Sequence, residues 1–166
     1  AGQGRVERLW PKLLPALRAA TSALAVCKTT GPGEATTLTR AALTEDYDRI
    51  VAVGGDGTLH EVVNGYFRPD GRALTPAPPL VPLSCGTGTD FNRMLGQKTG
   101  LDAVSYLRSG RVRPIDLLRI KCTDLDGEGA SRYALNITSV GPSSAVVHAV
   151  TEGGLPLPGR LRYFTA

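Results

Sequence analysis

The chain is 166 residues long, about the length of one domain at roughly 150 residues per domain, and a large two-domain enzyme does not fit in it. Hydrophobic residues make up 42% and charged residues 20%, which excludes disordered, collagenous and coiled-coil classes. The net charge of +4 suits anionic partners such as phosphates or acidic lipid surfaces without choosing among them.

Val6, Leu9, Trp10, Leu13, Leu14 and Leu17 recur at offsets of 3, 4, 7, 8 and 11, one apolar face of a helix over about Arg5 to Ala20. Pro11 and Pro15 each remove a backbone donor, so a kinked or broken helix is expected. Ala23 to Lys28 is a short apolar run suited to a strand, and Glu34 to Leu43 reads as a second helix with Ala35, Leu38 and Ala42 inward. Arg49 to Val53 reads as a fully buried strand, β-branched and stopped by two glycines. Leu59, Val62, Val63 and Tyr66 then restore helical spacing. Asp70 to Pro79 is a Pro/Gly loop. Leu80 to Leu83 is another strand, ending in Cys85-Gly86-Thr87-Gly88 before a short helix from Asp90. This alternation predicts an α/β fold with a doubly wound, mostly parallel sheet. After Gly110 the pattern changes. Val112 to Lys121 and Tyr133 to Ser139 are strand-like, separated by a turn-rich stretch, and predict an antiparallel hairpin. Ser143 to Ala149 reads as a tail helix, and Gly153 to Gly159 as a loop.

Cys27, Cys85 and Cys122 are too scattered for a metal site or disulfide framework, which fits reduced thiols in a cytoplasmic protein. No apolar run reaches the ~18 residues a membrane span needs, and the opening residues are not a signal peptide. The absence of an initiator Met suggests a start downstream of the natural one.

The sharpest chemical feature is Gly54-Gly55-Asp56-Gly57-Thr58, between a buried strand and a helix. At the carboxyl end of a parallel strand, a helix N-terminus offers free N–H groups and partial positive charge. Glycines there let the backbone approach a phosphate closely and adopt positive φ. Thr58 can cap the helix or donate to a phosphate oxygen. A carboxylate in such a pocket, Asp56, belongs to a site that holds a metal ion or handles a proton, as phosphoryl transfer requires. Helix capping by Asp56 and simple chain turning by the glycines are the alternative. A second glycine loop, with Gly86, Thr87 and Asp90, follows the next strand, so two loops can converge on one ligand. Asp116 could complete an acidic cluster with Asp56 and Asp90, or be an ordinary strand-end residue. His60 and His148 read as polar surface positions. Arg108, Arg111 and Arg113 form a basic face open to solvent, phosphate or membrane. No aromatic-basic motif supports nucleic-acid binding.

The run Gly54-Gly55-Asp56-Gly57-Thr58-Leu59-His60-Glu61-Val62-Val63-Asn64-Gly65, then Gly86-Thr87-Gly88-Thr89-Asp90-Phe91, then Ile115-Asp116-Leu117-Leu118, resembles the diacylglycerol kinase catalytic domain family, which includes bacterial lipid kinases and sphingosine kinases. The resemblance covers most of the chain in order. It implies transfer of the γ-phosphoryl group of ATP to a lipid hydroxyl, with Mg²⁺. It puts nucleotide contacts on Thr29, Gly54, Gly55, Asp56, Gly57, Thr58, Leu59, His60, Glu61, Gly86 and Thr87, and the catalytic acidic role on Asp56. Thr89 and His60 stand where the family commonly has Asn. By the same resemblance, residues 1–115 form the α/β nucleotide-binding domain without its first strand. Residues 116–166 begin a β-sandwich domain that would carry the catalytic glutamate and metal ligands, so no metal ligand is assigned and the chain alone is expected to be inactive. The implied partners are ATP and a lipid alcohol, at a peripheral membrane contact, with a homodimer left open. An NAD kinase-like enzyme and a non-catalytic nucleotide-binding module are the alternatives.

Overall fold

The computed structural model describes residues 4–86, 89–123, 127 and 129–138. The chain divides into two compact units, residues 1–136 and 137–166. The architecture described is that of the first; the expected tail helix at Ser143 to Ala149 and the loop at Gly153 to Gly159 lie outside the described residues.

Helix α1 spans Arg5–Ala20 and contains both Pro11 and Pro15. It is unbroken, contrary to the expectation from its prolines. Both rings are exposed, so the carbonyls they leave without an intrahelical donor lie on the solvent side, where water serves them. Its inner face buries Leu13 and Leu17 against Leu83, Cys85, Ala103, Val104 and Leu107.

Residues Ala23 to Lys28 form no strand and pair with none among the described residues. The expected strand is therefore absent: β-suited composition makes a strand only where a neighbour completes the ladder. Helix α2 spans Glu34–Ala42. Strand β1, Ile50–Gly54, runs parallel to strand β2, Leu80–Ser84, with Ile50 opposite Leu80 and Gly54 opposite Ser84. Helix α3, Asp56–Gly65, makes the crossover between them. The two strands form a two-stranded sheet, so β1 is not fully buried as expected: Ala52 and Gly54 are buried while Ile50, Val51 and Val53 stay partly exposed.

The pleat sorts side chains to two cores. Val51, Val53, Val81 and Leu83 join the α1 core. Ile50, Ala52 and Leu80 join Ala35 of α2, Leu59 and Val62 of α3, and Phe91. Helices thus cover both faces of the parallel pair, the doubly wound arrangement expected. Phe91 lies on the short helix α4, Asp90–Met94. A 3-10 turn at Gly100–Val104 and helix α5 at Ser105–Ser109 follow; neither is evident in the sequence pattern.

Strands β3, Leu118–Thr123, and β4, Gly129–Ala134, form an antiparallel hairpin with Leu118 opposite Ala134 and Thr123 opposite Gly129. The hairpin was expected, but β3 starts six residues later than the expected Val112 and β4 starts four earlier than Tyr133. The ladder sets the register here, and it draws in Gly129, which composition alone assigns to the turn.

Candidate functional site: two glycine loops at the strand ends

At the carboxyl end of β1 the chain turns through Gly54 and Gly55 directly into α3. The second loop is tied onto it: the amides of Cys85 and Gly86 donate to the Gly54 carbonyl at 2.8 and 3.2 Å. A Cβ on Gly86 would stand 2.6 Å from Gly55 Cα, and one on Gly54 would stand 2.5 Å from Thr58 Oγ1. Gly86 is thus required by loop-on-loop contact, and Gly54 by the Thr58 side chain at the start of its own helix. This corrects the expectation of positive φ, since none of Gly54, Gly55, Gly57 and Gly86 adopts it. Gly57 is open, with nothing within 4 Å of an added Cβ. No side chain caps α3, so its first-turn amides are left for other acceptors; of the two roles read for Thr58, capping and donation to a phosphate oxygen, the first is not made.

The Asp56 carboxylate spans the gap between loops. Its Oδ2 accepts the Asp90 amide at 3.0 Å and its Oδ1 accepts the Phe91 amide at 3.5 Å. Asp56 therefore sits at the start of α3 while its side chain caps α4, holding the two helix N-termini together. Asp90 turns its own carboxylate to Arg93 at 2.9 Å. Asp116 is exposed in the stretch before β3 and makes no hydrogen bond or ion pair among the described residues. No three His, Cys, Asp or Glu side chains gather as a metal cage among the described residues, so the suggested cluster of Asp56, Asp90 and Asp116 is not assembled.

The remaining candidates divide. Leu59 is core, 3% exposed, and can offer a ligand only its backbone. Thr29 is exposed, next to Thr30, whose hydroxyl donates to Glu34 at 2.7 Å; the bonds from Thr30 hold the Glu34 carboxyl below its usual range. Glu61 points to α2, its Oε2 accepting the Ala35 amide at 3.2 Å and its carbonyl accepting the Thr36 hydroxyl at 2.9 Å. His60 is half-buried, its Nε2 3.4 Å from the Asn64 amide. Burial first, and the charge of Arg132 second, push its pKa down against the opposing pull of Glu61. Thr87 lies outside the described residues.

His60 and Glu61 line a cleft of 380 Å³ between α2, α3 and the hairpin, whose walls include none of Gly54 to Thr58. They therefore face a different space from the glycine loops.

Sequence reasoning missed two residues that build the site. Asn92 is fully buried and bonds to the Ser84 hydroxyl and the Lys98 carbonyl, fixing the end of β2 to α4. Arg5 reaches from α1 to the Gly86 carbonyl at 3.3 Å. A buried asparagine two residues after the capped Asp90 is a signal of a kind, since an unpaired amide has no place in a core.

The arrangement is two joined glycine loops at the carboxyl end of a parallel strand pair in an α/β fold. Residues 1–120 match the diacylglycerol kinase catalytic domain, and the chain belongs to that family, whose named members are lipid kinases. It is 33% identical over 138 residues to a diacylglycerol kinase of Bacillus subtilis, covering 82% of this chain and 41% of that protein. It is 30% identical over 165 residues to one of Staphylococcus carnosus, covering 99% of this chain and 49% of the relative. A solved structure of a Bacillus anthracis protein, described as a candidate diacylglycerol kinase, superposes with a TM-score of 0.62 at 30% identity over 78% of this chain and 41% of its own. The chain thus spans about half the length of these relatives or less. Among the described residues no helix is long and apolar enough to cross a membrane.

Proposed function

We propose that the chain is the nucleotide-binding part of an ATP-dependent lipid kinase that transfers the γ-phosphoryl group to a lipid hydroxyl presented at a membrane surface. The observation that carries this reading is the joined pair of glycine loops with the Asp56 carboxylate fixed between them. The open Gly57 backbone and the uncapped α3 amides supply donors for phosphate oxygens. Asp56 keeps lone pairs beyond the two amides it accepts, and these can take a proton or orient the attacking hydroxyl. In this reading Mg²⁺ would accompany ATP and neutralise phosphate charge, with its protein ligands expected from the second domain. In this reading residues 1–115 are the nucleotide-binding domain and the hairpin opens the second domain, which would supply the remaining catalytic groups.

The test uses the full-length protein with radiolabelled ATP and, separately, diacylglycerol, sphingosine, polyprenol and NAD as acceptors. Asp56→Asn should bind ATP about as well as the parent while transfer falls by about 100-fold or more. Undiminished transfer in that variant would overturn the assignment, and phosphorylation of NAD alone would replace it with the NAD kinase reading.

A further inference from the structure

We propose that the cleft between α2, α3 and the β3–β4 hairpin binds a phosphate monoester at a site separate from the glycine loops. Its walls carry three guanidinium groups from segments distant in sequence: Arg40 on α2, Arg68 after α3, and Arg132 on β4. Among the described residues, none of the three forms an ion pair. Arg40 donates from one terminal nitrogen to the Phe67 carbonyl at 2.9 Å, but its Nε is buried in the wall without an acceptor. Arg132 spends one nitrogen on the Ser131 carbonyl at 3.2 Å. The carboxylate among the lining residues, Glu61, turns an oxygen onto the Ala35 amide. His60, with its pKa pushed down, adds a neutral ring.

Three arginines in no ion pair among the described residues, around a cavity whose lining carboxylate is turned to a backbone amide, match the oxygens of a phosphate dianion better than any neutral ligand. At 380 Å³ the cleft lies within the span of about 300–1,000 Å³ usual for small-molecule sites, so it has room for more than bare phosphate. The Phe67 and Tyr133 rings, stacked at 3.6 Å, line it together with Pro69 and offer an apolar wall to the organic part of an ester. An occupant would join the hairpin to both helices. The cleft borders no residue of the Gly54 to Thr58 loop, and it shares with the expected nucleotide contacts His60 and Glu61, so competition with ATP is the measurement that separates the two sites.

The ring signal of His60 in a magnetic resonance titration reads occupancy. Added sn-glycerol 3-phosphate should shift it saturably, and Arg68→Gln and Arg132→Gln, both at exposed positions, should each weaken binding by about tenfold. Gly57→Ala should leave this binding unchanged while its ATP affinity is measured independently. A response to vesicles containing phosphatidic acid but not to the soluble ester would also support the site and assign the phosphate to a lipid headgroup. A signal that moves with neither ligand, or that the ester shifts with undiminished affinity in both arginine variants, would overturn the proposal. Competitive displacement of the ester by ATP would overturn it too, by making the cleft part of the nucleotide site.

Discussion

The side-chain amide of Asn64 pairs with both main-chain groups of Tyr133: Nδ2 donates to the Tyr133 carbonyl at 2.9 Å and the Tyr133 amide donates to Oδ1 at 3.0 Å. A side chain on α3 thereby acts as one rung of a ladder for the edge of β4. The Phe67 ring stacks on Tyr133, whose hydroxyl donates to the Gly71 carbonyl at 2.6 Å. Asn64→Ala leaves an amide and a carbonyl of a buried residue without partners and should lower stability by about 1–3 kcal/mol. Asn64→Asp keeps the acceptor and loses the donor, so its cost should fall between. Denaturant unfolding of the three proteins checks the order.

Gly86 and Gly57 should respond to alanine in opposite ways. The new Cβ at 86 meets Gly55 backbone at 2.6 Å, and backbone cannot swing aside, so Gly86→Ala should cost about 1–3 kcal/mol as an overpacked contact. At 57 the space is open and the position is helical, so Gly57→Ala should leave stability unchanged or raise it by about 0.4–1 kcal/mol. If phosphate lies against that backbone, ATP affinity in Gly57→Ala falls while the melting temperature does not. Thermal unfolding paired with binding calorimetry separates the two effects.

Acid should destabilise the fold partly through His60. Its folded pKa lies below the unfolded value of 6.5, so the native state binds fewer protons than the unfolded chain over that interval. Stability from this residue is intact above the unfolded pKa and is lost as pH falls from there through the lower folded pKa. His60→Gln should flatten that part of the profile and leave the neutral plateau in place. Melting temperatures measured across that interval decide it; an identical acid limb in the variant would assign the loss to other groups.

Asn92, with no exposed surface, should tolerate little. Asn92→Ala deprives the Ser84 hydroxyl and two carbonyls, that of Pro82 in β2 and that of Lys98, of a shared partner, and a loss of about 2–4 kcal/mol is expected for an amide that satisfies several buried groups at once. Asn92→Leu, which restores volume but no hydrogen bonds, should fail to recover it.

The parts legible in the sequence were those with strong local patterns. The β-branched run at Ile50 to Val53 stopping at two glycines, followed by Leu59, Val62 and Val63 at helical spacing, gave β1, the turn and α3, and the repeat at β2 gave the parallel pairing. Ala23 to Lys28 misled because a strand is a relation between two segments and local composition holds only one of them. The 3-10 turn and α5 are five residues each, too short for a 3.6-residue period to register. Within the site, convergence of the loops followed from topology, but the reason for Gly86 did not: its contact with the Gly55 backbone leaves no local trace. The bond from Asn64 to Tyr133 crosses 69 positions, and Asn64 alone reads as an ordinary polar helix residue.

The Gly54 carbonyl has two lone pairs, and both are taken by the Cys85 and Gly86 amides. The turn therefore presents hydrogen-bond donors to whatever enters, and its first acceptor is already neutralised from within. A donor entering between the loops would therefore meet the Asp56 carboxylate rather than that carbonyl. Binding one loop also pulls on the other through those same two bonds, so the pair should tighten or loosen on a ligand as a single jaw.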